Sequence, residues 1–210
     1  ARFWRADAVE ILTPSPDRVA PPCPWAGPGN CGGCDLQHAS LDAQRRWKAQ
    51  VVRELLARMA KLDVDVRVEP VPGDEDGVGW RTRVQYAVDD DGRAGLRRHH
   101  SHVVVPVDRC RIAHPLVAAA DVTGRLWPGV ASVEVAASTV AGQATVLADG
   151  SLVAGPAVLA ERAGAYDFTV HGGGFWQVHP GAATTLQQAV LDGLDPQPGE
   201  RALDLYAGGG

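Results

Sequence analysis

Three of the four cysteines, Cys23, Cys31 and Cys34, stand within "CPWAGPGNCGGCDLQH"; the fourth, Cys110, is isolated in "VPVDRCRIAHP". The pattern is C-x7-C-x2-C, with 75 residues separating Cys34 from the last thiol. A C-x2-C turn sets two sulfurs on one knuckle, and Gly32 and Gly33 allow the tight backbone. Zinc ribbons use two such knuckles around a tetrahedral ion. One knuckle plus two single thiols suits an iron–sulfur cube better, because each thiolate meets its own iron. An iron–sulfur cluster is the first reading, zinc the second, and four unconnected buried thiols the third. If all four bind metal, none is left as a nucleophile.

Two further segments could do chemistry. "GGGFWQVHP", 172–180, follows three glycines with two aromatic rings and an amide, and "LDLYAGGG", 203–210, runs an apolar stretch into a glycine turn. Alone, the first reads equally as a buried aromatic turn. The second is a weak sign of a nucleotide-like ligand.

The 210 residues allow one large domain or two small ones. No apolar run reaches the roughly 18 residues of a membrane span, and the N-terminus has no secretory pattern. A cytoplasmic monomer is expected, in a compartment where thiols are more often ligands than disulfides. The net charge of −5 does not point to nucleic acid. From Trp80 to His114, however, seven Arg face four Asp, with four of the seven His in the same stretch. A solvated hairpin is the plain account of that basic island; a polyanion surface is the sharper one.

These residues need elements to position them. Residues 1–12 look like the tail of a β-rich module, and "TPSPDRVAPPCP" reads as a connector. Ser40 with Asp42 marks a helix start. Trp47, Val51, Leu55 and Met59 then recur at helical spacing through Lys61, which predicts a core-facing amphipathic helix. Short β-branched runs follow: 64–71, 82–89, 101–108, 131–138, 143–149 and 166–171. "DDDGR" and "ADGS" are hairpin turns, so the strands should be antiparallel. A second helix presents Ala183, Leu186, Val190 and Leu194 and ends at "DPQPGE"; "RALDLYAGGG" is a strand entering its turn. The fold class is α+β.

"CGGCDLQH", "GGGFWQVHP" and "LDLYAGGG", in this order, resemble the SAM-dependent RNA (uracil-5-)methyltransferases. The likeness is strongest to the branch that methylates 23S rRNA and carries a four-iron four-sulfur cluster. It implies that residues 1–20 are the tail of a TRAM-like RNA-binding module with its linker. Residues 21–170 would be a central iron–sulfur domain facing RNA, and 171–210 the start of a truncated Rossmann-like methyltransferase domain. The cluster ligands would be Cys23, Cys31, Cys34 and Cys110, although the family's first gap is usually five residues, not seven. Gln177 falls at a SAM-contact position, as does Tyr206, with Asp204, Gly208 and Gly210 in the first SAM motif. Phe175 and Trp176 would wall the cofactor or the target base. His179 replaces the family's Asn, so that position's role is not carried over.

The resemblance implies C5 methylation of a uridine in RNA, ribosomal in preference to transfer. A cysteine thiolate adds to C6, C5 attacks the methyl group of SAM, and a carboxylate removes the C5 proton. In the family that cysteine and carboxylate lie beyond the position of Gly210, so residues 1–210 alone are expected to be inactive. Methyl-cation transfer passes no electrons through a cluster, so its role would be structural. Arg81, Arg83, Arg97 and Arg98 become candidate phosphate contacts. The alternatives are a non-enzymatic RNA-binding module with a structural iron–sulfur or zinc site, and an electron-transfer cluster protein.

Overall fold

The computed structural model describes Ala6 and residues 8–205, and the chain divides into two compact units. The first comprises residues up to Glu69 together with Arg97–Val105; the second comprises Pro70–Leu96 and the chain from Pro106 onward.

The first unit is mostly loop around one helix, α1, Leu41–Leu55, which continues as a π-helical turn, Leu56–Ala60. Ser40 caps it: its side chain accepts the Ala43 N–H at 3.3 Å, and Asp42 sits in the first turn. Lys61 closes it in the left-handed conformation (φ 59°). The preceding loop is tied to the helix start by Ser40 N–H donating to the Asp17 carbonyl at 2.8 Å. Arg46 also forks onto both Asp17 oxygens at 2.7 Å.

The expected core-facing stripe is not what buries α1. Ala43 and Ala49 are its buried residues, whereas Val51 is 54% and Met59 80% exposed. The helix is tied to the preceding loop by the Gln44 amide, which donates to the carbonyls of Leu36 (3.0 Å) and Ala39 (2.9 Å). The larger residues at 47, 51, 55 and 59 fall on a different arc, and periodicity alone does not say which arc is covered.

The strands are β1, Arg83–Val88; β2, Ala94–Arg97; β3, Val104–Pro106; β4, Ser132–Ser138; β5, Gln143–Ala148; β6, Ser151–Ala154; β7, Val158–Ala163; and β8, Tyr166–His171. The main sheet runs β3-β2-β1-β4-β5-β6, and β7 and β8 form a separate antiparallel ribbon. The tip between β2 and β3 is the segment grouped with the first unit. The antiparallel expectation holds for β1 with β2 and β4, β4 with β5, and β5 with β6.

Alternation explains the core. Val133 and Val135 on central β4 are fully buried and meet Val84, Tyr86 and Val146 from its neighbours, with Val117 and Trp127 closing one side. The "ADGS" turn forms as expected, with Asp149 (φ 45°) and Gly150 (φ 78°) both left-handed. The Asp149 carboxylate accepts the Ala131 and Ser132 N–H groups, and these bonds hold its pKa below the usual carboxylate value.

Helix α2, Pro115–Ala118, is a single turn; α3, Ala182–Leu194, is the second helix expected from the sequence. Two expected strands are not seen among the described residues. Val64–Val71 carries no ladder, and residues 201–205 are exposed without strand structure. A strand without a hydrogen-bonded neighbour has nothing to hold it extended. Tyr206, Gly208 and Gly210 lie outside the described residues.

Candidate functional site

Two places gather the residues with chemistry, one in each unit. In the first, Cys23, Cys31 and Cys34 are half-buried and form no disulfide. The loop folds on itself: Ala26 N–H donates to the Cys23 carbonyl at 3.1 Å, and Cys31 N–H to the Trp25 carbonyl at 3.0 Å. Gly33 N–H points at the Cys31 sulfur at 3.4 Å, a bond that favours a thiolate. Burial pushes the Cys31 thiol up, the Gly33 N–H opposes it, and nearby Cys23 adds to the rise.

Gly32 explains itself. Its N–H donates to the Arg97 carbonyl at 2.9 Å, and Cys31 bridges Arg98. A Cβ at Gly32 would lie 2.3 Å from the His99 backbone nitrogen, so no side chain fits. The expected role of "GG" was a tight turn, but the first glycine is there for close approach of another backbone. That approach places Arg97 and Arg98, both exposed, on the hairpin tip beside the cysteine loop. His99 also sits there, its Nδ1 3.6 Å from an Asp35 oxygen.

Cys110 belongs to the second unit, half-buried against the core. Burial, then the neighbouring Cys110, raises Tyr86 to about 12. Among the described residues no group of three or more His, Cys, Asp or Glu side chains is placed to hold a metal ion. The Gly33 N–H would support a thiolate at Cys31 against the burial that raises its pKa; the expected convergence of four thiols is not shown among the described residues.

The second place is the segment that carries Gln177. Gln177 is half-buried, and its amide has no hydrogen-bond partner among the described residues. An amide held this way fits the polar end of a ligand. Trp176 packs on Phe168 with ring centroids 5.2 Å apart, while Phe175 is 83% exposed. His179 stacks on Trp80 at 5.9 Å and accepts the Gly181 N–H at Nδ1, just ahead of α3. Asp204 is exposed.

Adjacent residues hold this segment at both ends. Thr82 donates both its backbone N–H (2.8 Å) and its hydroxyl (2.9 Å) to the Val178 carbonyl. Arg83 donates through one guanidinium nitrogen to the carbonyls of Gly172 (3.1 Å) and Gly174 (2.6 Å). The glycine turn is packed too tightly for side chains: a Cβ at Gly172 would meet Thr145 Cγ2 at 2.6 Å.

Arg83 therefore has a place the sequence did not anticipate. It is 8% exposed, and its other terminal nitrogen lies 3.9 Å from Glu161, itself buried. That separation is an ion pair without a hydrogen bond, and the facing atoms have no other partner. A guanidinium so enclosed offers nothing to a phosphate in solvent. Arg81, half-buried, donates Nε to the Arg83 carbonyl at 2.9 Å. Burial lowers the Arg83 pKa, against the pull of Glu161 and Glu134. It also lifts the Glu161 carboxyl to about 7, against Arg83.

Thr82 and Glu161 were missed at the sequence level. A signal for Glu161 existed: "VLAERA" alternates so that Leu159, Glu161 and Ala163 share the buried face of β7.

No family model matches the chain. It is similar to an uncharacterized RNA methyltransferase of Streptomyces coelicolor, 48% identical over 100% of this chain and 54% of the relative. The chain is a relative of the RNA methyltransferases. A counterpart from Bifidobacterium longum is 35% identical over the same full span. The 23S rRNA (uracil(1939)-C(5))-methyltransferase RlmD of Halomonas elongata is 41% identical over 56% of this chain and 24% of its own length. The chain spans about half the length of the relatives that match all of it. Among solved structures, the Pyrococcus abyssi tRNA (uracil-54, C5)-methyltransferase in complex with S-adenosyl-L-homocysteine shares the fold. Its TM-score is 0.59 at 19% identity, over 87% of this chain and 53% of that one.

Two predictions follow from the geometry. In metal-free protein, Gly32→Ala should push the hairpin tip away and raise the thiol-labelling rate of Cys31 and Cys34 severalfold. Gly33→Ala, whose Cβ would sit an ordinary 3.5 Å from the Cys31 sulfur, should not; equal rates in both variants contradict the packing. For Glu161, the folded carboxyl keeps a proton that the unfolded one, near 4.5, releases. Its contribution is complete below pH 4.5 and is lost as pH rises through about 7. Denaturant titrations should show that fall in wild type and a flatter profile in Glu161→Gln. Parallel profiles would mean the carboxyl is not buried as described.

Proposed function

We propose that the protein containing this chain is a SAM-dependent RNA methyltransferase acting on C5 of a uridine, with 23S rRNA as substrate. The observation that carries the reading is 48% identity along the entire chain to a protein named as an RNA methyltransferase. The RlmD match and the order of the three motifs favour uridine C5 and ribosomal RNA. The braced Gln177 segment supports a cofactor site. SAM supplies the electrophilic methyl group; this chain's part is to hold it, with Gln177 offering an amide and Trp176 and Phe175 offering apolar walls. Asp204, Tyr206, Gly208 and Gly210 complete the proposed cofactor contacts.

We further assign Cys23, Cys31, Cys34 and Cys110 as ligands of a four-iron four-sulfur cluster with a structural role. The bond from Gly33 to the Cys31 sulfur and the motif resemblance support this. Arg97 and Arg98 are the favoured phosphate contacts, with Arg81 secondary because part of its guanidinium is engaged. The protein is taken to be a cytoplasmic monomer; no described helix is long and apolar enough to cross a membrane.

Full-length protein purified without oxygen tests these assignments together. It should contain iron and acid-labile sulfide, and should transfer a methyl group from SAM to a uridine of 23S rRNA, read by mass spectrometry of the digested RNA. Bound cofactor with no methylated uridine contradicts the activity; zinc, or no metal, contradicts the cluster. Replacing Arg97 and Arg98 by Ala should reduce the slope of log affinity against log salt by about 1.5. An unchanged slope removes both from the RNA surface.

A further inference from the structure

The Gln177 segment is fixed in an unusual way. Its two ends are fastened by consecutive residues of one chain stretch, Thr82 and Arg83, at the entrance to β1. Alternation along an extended chain sends neighbouring side chains to opposite sides. Two adjacent residues can therefore reach two separate points of a passing loop. Thr82 takes the Val178 carbonyl twice, through backbone and hydroxyl. Arg83 takes the Gly172 and Gly174 carbonyls with one nitrogen. Phe175, Trp176 and Gln177 lie between those fastenings.

Both braces are buried, Thr82 at 3% and Arg83 at 8% exposed. A purely structural sheet end needs no charge there, since enclosing a guanidinium is costly unless it is compensated. The hydrogen-bonded compensation comes from two carbonyls of a turn made wholly of glycine, with the buried Glu161 carboxyl on β7 facing the guanidinium at 3.9 Å. Thr82 is itself anchored to the sheet, its carbonyl accepting the Ala137 N–H at 2.8 Å. The braces thus connect β4 to the segment that carries Gln177.

We propose that Thr82 and Arg83, the latter enclosed beside Glu161, are positioning residues that hold the Gln177 segment in the shape that receives the cofactor. This rests on the reading of that segment as a SAM site. It gives Arg83 a role in cofactor binding through the backbone, not in RNA contact. Lysine preserves the charge but ends in a single nitrogen on a shorter reach, so Arg83→Lys cannot face the two glycine carbonyls and Glu161 at once as the two terminal nitrogens of Arg83 do, and the turn should loosen. Thr82→Val keeps the shape and loses the hydroxyl bond.

The test uses full-length protein, with S-adenosyl-L-homocysteine as probe, well below the melting temperature. Thr82→Val and Arg83→Lys should each weaken its binding about tenfold. Each should also speed amide hydrogen exchange in 173–178 while leaving β4 protected. Wild-type affinity and wild-type exchange in both variants would overturn the proposal. So would lowered stability with affinity unmoved, which is the outcome of a merely structural role. If Arg83→Lys does not fold, Thr82→Val decides by the same two readouts. If wild-type protein fails to bind the probe, the SAM reading falls, and the exchange of 173–178 in the variants still judges the brace.

Discussion

A guanidinium shut away from water must find oxygen atoms inside the protein, and this requirement at Arg83 organises the second unit around it. Two of the oxygens are main-chain carbonyls of Gly172 and Gly174; the third partner is a carboxylate with no hydrogen bond to the charge it faces. Removing one member of a buried pair generally costs about 3–5 kcal/mol, because the other is left uncompensated. Gly172 has no room for a Cβ beside Thr145, so the turn can approach β5 only as glycine. The charge, the glycines and the sheet are consequently one constraint. Their product is a short segment whose ends are pinned and whose amide, at Gln177, has no hydrogen-bond partner among the described residues.

The first unit solves a similar problem with backbone alone. Cys31 and Gly32 are held against the hairpin tip by a bridge to Arg98 and a bond to the Arg97 carbonyl, and the missing side chain at Gly32 is what lets the two chains touch. The thiols and the exposed arginines therefore become neighbours through local packing. Any metal at the cysteines would stiffen the loop that lies against that tip. Ser40, Asp17 and Arg46 fasten the loop to α1 from the other side.

How much of this could be read beforehand follows from range. Features set by a few neighbouring residues were legible: the Ser40 cap, the Asp149–Gly150 turn and the extent of α3. Features set by distant partners were not. Nothing in "WRTRVQY" says that Arg81 stays partly open while Arg83 is enclosed, since that depends on a carboxylate 78 positions later. The stripe at Trp47, Val51, Leu55 and Met59 predicted the helix correctly and its buried face incorrectly, because the buried residues are Ala43 and Ala49. Val64–Val71 had strand composition without a neighbour to pair with. The motif resemblance reached the Gln177 segment, but not the residues that brace it.

The most direct measurement is an experimental structure of the full-length protein with S-adenosyl-L-homocysteine bound. The account predicts the Gln177 amide on the polar amino-acid end of the ligand, with the Arg83 guanidinium still between Glu161 and the two glycine carbonyls. A ligand bound away from Gln177, or Arg83 released from the glycine turn and directed into solvent, would contradict it.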